Sequence, residues 1–66
     1  MGPAKHMVTV RFYDSLFYPT AYFFSDSVIS VKFYNEMINR YNVEAEIQLW
    51  KLFTEPDIIW KLLRTN

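Results

Sequence analysis

Cysteine is absent from this 66-residue chain, and glycine and histidine occur once each, as Gly2 and His6. Both single residues fall in MGPAKH, residues 1–6, which reads as an expression scar, because Gly-Pro is what a common fusion-protease site leaves behind. From Met7 onward, residues 7–66 then form one domain with no Cys, His or Gly at all. Each absence excludes something. Without His or Cys there is no usual zinc or transition-metal site. Nor is there a Ser-His or Cys-His nucleophile pair, or a general base poised near neutrality. A Walker or Rossmann phosphate loop needs glycines, and none remain. The expectation is a protein that is not an enzyme and takes no cofactor and no metal. Lack of cysteine fits a reducing cytosol. No run approaches the ~18 to 20 consecutive apolar residues of a membrane span, and no signal peptide is visible.

An excess of positive charge is missing too. Seven basic and seven acidic residues balance, and removing Lys5 with the scar leaves six against seven, a formal charge of −1. Arg11, Lys32, Arg40, Lys51, Lys61 and Arg64 are scattered along the chain. That is not the clustered basic footprint phosphate contacts require, so direct nucleic-acid binding is not expected.

Aromatic residues, by contrast, are plentiful: 13 of 66. A domain of about 60 residues buries only ~60% of its unfolded surface, too little to hide them all. With disulfides and metals excluded, oligomerisation is the natural additional source of stability. A homodimer is expected.

Residues 7–14, MVTVRFYD, alternate as a half-buried strand, with Val8, Val10 and Phe12 on one face. Asp14-Ser15 opens a turn, and Thr20 to Ser25 return as the second arm of a hairpin, limited on its near side by Pro19. Leu16, Phe17 and Tyr18 are unusually apolar for a connection and are expected to fold back onto the core or reach a partner. Asp26 or Ser27 suits a helix N-cap, and the helix runs to about Tyr41-Asn42, with Arg40 near its negative end. Residues 43–53 alternate again: Val43, Ala45, Ile47 and Leu49 face one way, Glu44, Glu46 and Gln48 the other, until Trp50 and Leu52 turn that face apolar. Thr54-Glu55-Pro56-Asp57 resembles a capping box, predicting a short C-terminal helix to about Leu63. The expected fold class is α+β: a three-stranded antiparallel sheet, order 2-1-3, with one right-handed crossover helix and the short C-terminal helix.

The helix SVISVKFYNEMINRY carries more apolar surface than a small core should use. Advancing about 100° per residue, Ile29, Val31, Phe33, Tyr34, Met37, Ile38 and Tyr41 sweep roughly 200°, where a surface helix commonly buries a stripe of about 100° or somewhat more. Either the C-terminal helix covers the surplus or the arc meets a partner. Phe33 and Ile29 sit at its edge beside Glu36 and Arg40, and a rim aromatic left unburied forgoes on the order of 1.5 to 3 kcal/mol. Glu44 and Glu46 share a strand face roughly 7 Å apart, a separation known in glycosidases. A chain this short offers no cleft for a sugar, so a solvated face or an acidic patch for a basic partner fits better.

Four stretches carry a family likeness: VTVRFYD at Val8 to Asp14, TAYFF in the second strand, SVKFY at Ser30 to Tyr34, and EIQLWKLF at Glu46 to Phe53. With these the chain resembles the small uracil-DNA glycosylase inhibitors of Bacillus podoviruses, a family of DNA-mimicking dimers, over about Val8 to Phe53. The resemblance implies a phage-encoded protein inhibitor of host uracil-DNA glycosylase, acting in the host cytoplasm. Paired helices of the dimer would leave an apolar cleft that captures the wedge the enzyme pushes into DNA while flipping uracil. Phe33 matches the family's cleft phenylalanine. Ile29, Tyr34, Glu36, Met37 and Phe24 are the other expected partner-binding residues. The chain departs from the family in being nearly neutral, with Tyr34 where the family has an acid and Phe23 or Phe24 replacing a second-strand acid. Apolar capture then has to contribute more than phosphate-like charge. The alternative function is a small homo-oligomeric interaction or structural protein with no enzyme target.

Overall fold

Alternating apolar residues place Val8 and Val10 on the buried face of a first strand, β1 (His6–Phe12), in a computed structural model that describes residues 3–66. The chain reverses through Asp14 to Pro19 and returns as β2 (Thr20–Phe24), antiparallel to β1 with Val8 opposite Tyr22. Asp26 caps the helix α1 (Ser27–Tyr41): its Oδ1 accepts from the backbone N–H of Val28 at 2.7 Å and of Ile29 at 3.2 Å. Two otherwise unpaired first-turn donors are satisfied this way. Arg40 lies in the last turn, where the helix end is negative. After the turn at Asn42 to Glu44, β3 (Ala45–Phe53) runs antiparallel to β1 with Val8 opposite Leu49. The expected central order 2-1-3 is thus present.

The C-terminal segment differs from expectation. Instead of a short helix, residues after Asp57 form a fourth strand, β4 (Ile59–Thr65), antiparallel to β3, and the sheet has four strands in the order β2-β1-β3-β4. Thr54 to Asp57, read from sequence as a helix start, make the turn of a hairpin. Two physical reasons decide it. A short apolar run does not distinguish helix from strand by period, and Ile58, Ile59 and Trp60 are branched or aromatic residues that fit a pleated surface. Without β4, moreover, nine-residue β3 would be an open edge. Val43, expected on the inward face of β3, sits in the turn before it and is exposed.

The core lies between α1 and one face of the sheet: Val8, Val10, Ala45, Ile47 and Leu49 from the strands and Tyr34 from the helix. Phe12, Phe24, Val31, Phe33, Met37, Ile38 and Tyr41 pack around it. Ser30, the buried polar residue in the helix, donates its hydroxyl to Ser27 O at 2.7 Å, so its burial leaves no unpaired group.

Candidate functional site

Most of the helix's wide apolar arc is absorbed by the sheet. Tyr34, an expected partner contact, is a core residue at 6% exposure. Burial raises its phenol pKa above the ordinary value, with Arg64 pulling the other way. Met37 is half-buried against the core. What remains available is the margin of the arc nearest β2. There the Phe33 ring lies 4.8 Å from Tyr22 and 5.2 Å from Phe24, centroid to centroid. Ile29, one turn before Phe33, is 55% exposed, and Val28 is exposed beside it. Glu36 is exposed on the next turn and Asp26 caps the helix end. Phe24, Phe33 and Ile29 therefore share one rim, where the helix overhangs the β2 edge; Glu36 is its acidic neighbour.

This rim follows from register. Paired residues on antiparallel strands point to the same face, so Tyr22, opposite Val8, and Phe24, opposite His6, lie on the helix side of the sheet. Phe33 covers both. The rim is apolar at its centre and bordered by exposed charges of both signs, Glu36 beside Lys32 and Arg40, an arrangement suited to an apolar projection on a partner surface.

Two further apolar surfaces are plain in the structure. Leu16, Phe17 and Tyr18 stand out at the β1–β2 turn, with Phe17 at 85% and Tyr18 at 95% exposure. They do not fold back onto the core; the turn is held through Ser15, whose N–H donates to Phe12 O and whose Oγ accepts from Phe17 N–H. The second surface is the sheet face opposite the helix. Its Thr9 Oγ accepts from Trp50 Nε1 at 3.0 Å, Phe23 approaches Trp60 at 6.0 Å between centroids, and Leu62 is part-exposed. Soluble antiparallel sheets usually keep this outer face polar. The sequence signal for it was the switch to Trp50 and Leu52 in β3; its continuation in Trp60 and Leu62 was hidden by the helical reading of that segment.

Glu44 and Glu46, expected on one face of a strand, fall in different elements. Glu46 faces Arg11 across the β1–β3 ladder, with Arg11 Nε 3.5 Å from its Oε1, and Arg11 also lies over the Tyr13 ring. Glu44 precedes β3 in an exposed turn and donates its backbone N–H to Tyr41 O. Among the described residues no three His, Cys, Asp or Glu side chains converge to hold a metal ion. No helix among them is long and apolar enough to cross a membrane. Compared with known protein families, curated proteins and solved structures, the chain shows no match.

Proposed function

We propose that this chain is a phage-encoded, non-catalytic inhibitor of host uracil-DNA glycosylase, acting as a homodimer in the host cytoplasm. In this reading it covers the enzyme's DNA-binding surface and captures the enzyme's apolar wedge. The target rests on the resemblance over Val8 to Phe53. The surface rests on one observation: the rim of Ile29, Phe33, Tyr22 and Phe24, an aromatic cluster left partly open where the helix meets an uncovered strand. Capture of an apolar side chain there needs no charge, which suits a chain with equal acidic and basic counts.

The test is glycosylase activity on a uracil-containing oligonucleotide with and without the purified protein. Near-stoichiometric inhibition is expected. Absence of inhibition at large molar excess across several bacterial glycosylases removes the reading. Ile29→Asp is the informative variant, because Ile29 is mostly outside the core and its change should leave folding intact. It should weaken inhibition at least tenfold, consistent with loss of about 1.4 kcal/mol or more from an interface anchor.

A second reading has an observation of its own. The exposed turn at Leu16 to Tyr18 and the apolar outer sheet face lie away from the rim. They favour a homo-oligomeric interaction or structural protein with no enzyme target. In that case the protein associates in solution yet leaves every glycosylase uninhibited.

A further inference from the structure

The helix-side face of the sheet continues past the end of the helix. Helix α1 packs on β1, β2 and β3 and, among the described residues, not on β4. Beyond buried Leu49 the same face of β3 carries Lys51 and Phe53, and β4 places Lys61 opposite Lys51 and Ile59 opposite Phe53. Lys51 and Lys61 are therefore a like-charge cross-strand pair, an arrangement that destabilises a sheet. Both ammonium groups lean on one ring: Lys51 Nζ lies 5.5 Å and Lys61 Nζ 4.9 Å from the Phe53 centroid. The attraction of the ring for cations holds the two charges together. Among the described residues neither lysine has a carboxylate within ion-pairing distance. Two converging positive charges are left uncompensated.

The pair borders an open cleft of about 500 Å³ that Ser27, Lys51, Phe53, Thr54 and Glu55 line, between the first turn of α1 and the β3–β4 turn. We infer that this cleft binds a small phosphate ester of sugar or nucleotide size, its phosphoryl group held by Lys51 and Lys61. Charge selects the phosphoryl group. It carries about −1.5 to −2 at neutral pH, so it matches two ammonium groups and relieves their repulsion, with each lysine acting as a point charge. Size selects the remainder. Pockets of about 300–1,000 Å³ take drug-sized ligands, and a lone phosphate leaves most of this one empty. The rest of the lining is polar: Ser27 and Thr54 offer hydroxyls, and the Glu55 carboxylate accepts hydrogen bonds while repelling a second anion. Sugar hydroxyls suit that wall; further phosphoryl groups do not.

Lys5 and His6 also line the cleft, and the backbone of Lys5 ties the strands there. Its N–H donates to Phe24 O at 3.1 Å, and its carbonyl accepts from Leu52 N–H at 2.8 Å. Both belong to the stretch that reads as an expression scar, and the site does not need their side chains. Lys51, Phe53 and Lys61 all lie within residues 7–66. Asp26, the other acid at this end, is engaged in capping the Val28 and Ile29 N–H groups. The cleft is also distinct from the aromatic rim: Tyr22 belongs to the β2 edge and Lys61 to the β4 edge, at opposite sides of the sheet. Its occupancy is independent of the enzyme target and of self-association.

Amide NMR of the full chain in phosphate-free buffer tests the site, with AMP and inorganic phosphate as probes. AMP should shift Ser27 and residues 51–55 saturably, and inorganic phosphate should bind at least about tenfold more weakly. The double variant Lys51→Gln, Lys61→Gln should weaken AMP at least about tenfold, whereas Lys5→Gln should change it less than about threefold. Saturating AMP should raise the melting temperature of the parent and not that of the double variant. Should the double variant fail to fold by circular dichroism, the shift map of the parent decides alone. Shifts that do not saturate, or that extend to Lys32 and Arg40, overturn the site and leave the two lysines as charges that blunt the β4 edge. Inorganic phosphate bound as tightly as AMP overturns the ester. AMP binding that survives in the double variant but is lost with Lys5→Gln overturns the assignment to Lys51 and Lys61.

Discussion

Asn66 does with one side chain what a strand does with its backbone. Its Oδ1 accepts from Ile47 N–H at 2.9 Å, while its Nδ2 donates to Ala45 O at 2.8 Å and to Asn42 O at 3.0 Å. Its backbone N–H donates to Ile47 O at 3.2 Å. One residue thereby fastens the end of β4 to the start of β3 and to the end of the helix. Asn66→Ala leaves the amide of buried Ile47 without its partner and should cost about 1–2 kcal/mol by urea denaturation. Tyr34 acts through burial instead. Its raised phenol pKa means that the fold favours the protonated form. For this group stability is unchanged below the unfolded value of about 10 and falls as pH rises from there through the higher folded value. Tyr34→Phe should therefore lose less stability than the parent above pH about 10, read from thermal melts across the alkaline range. Sequence had shown Tyr34 as one residue in a wide apolar arc and, through the family resemblance, as a partner contact. It could not show that the sheet reaches far enough round the helix to bury it.

Strand β4 shows where legibility ended. The hairpin of β1 and β2, the Asp26-capped helix and the alternation within β3 were readable because each carries its own periodicity or cap. The last segment has Thr54, Pro56 and Asp57 at helix-start spacing, and its apolar run fits either element. The deciding fact was not local: β3 needed a neighbour, and Trp60 and Leu62 match Leu52 and Trp50 across it. The rim of Phe33 and Ile29 was half legible, as residues at the margin of the arc. Its other half, Tyr22, depends on the β1–β2 register, which fixes Tyr22 beneath Phe33 only once the sheet is formed. Removal of residues 54–66 should cost the fold its integrity. It strips a whole strand, opens the β3 edge and uncovers Trp50 and Leu52. The truncated chain should lose its cooperative melt and aggregate, seen as rising light scattering at concentrations where the parent stays clear. A cooperative melt retained by the truncated chain would mean that three strands and the helix suffice.

Taken together, the molecule spends its apolar residues unevenly. A small core holds six buried apolar side chains, while Leu16, Phe17, Tyr18, Val28, Ile29 and Val43 remain largely outside it. Charge is balanced, and Arg11 pairs with Glu46 across β1 and β3 on the solvent-exposed face of the sheet. In the proposed inhibition, recognition by such a surface would rest on apolar burial rather than on a field. That distinction has a direct consequence for inhibition. An inhibitor that imitates DNA through phosphate-like charge should lose affinity steeply with salt, as electrostatically steered complexes do. Apolar capture by the rim is largely insensitive to salt, because burial of apolar area does not depend on screening. Under the proposed function, binding to uracil-DNA glycosylase, measured by calorimetry from about 50 to 300 mM salt, should therefore weaken by less than about threefold. DNA binding by the same enzyme should weaken far more over that range, since each neutralised phosphate adds to the salt slope. A salt slope as steep as that of DNA would mean that Asp26, Glu36 and their neighbours carry the contact, and that the aromatic rim is only its support.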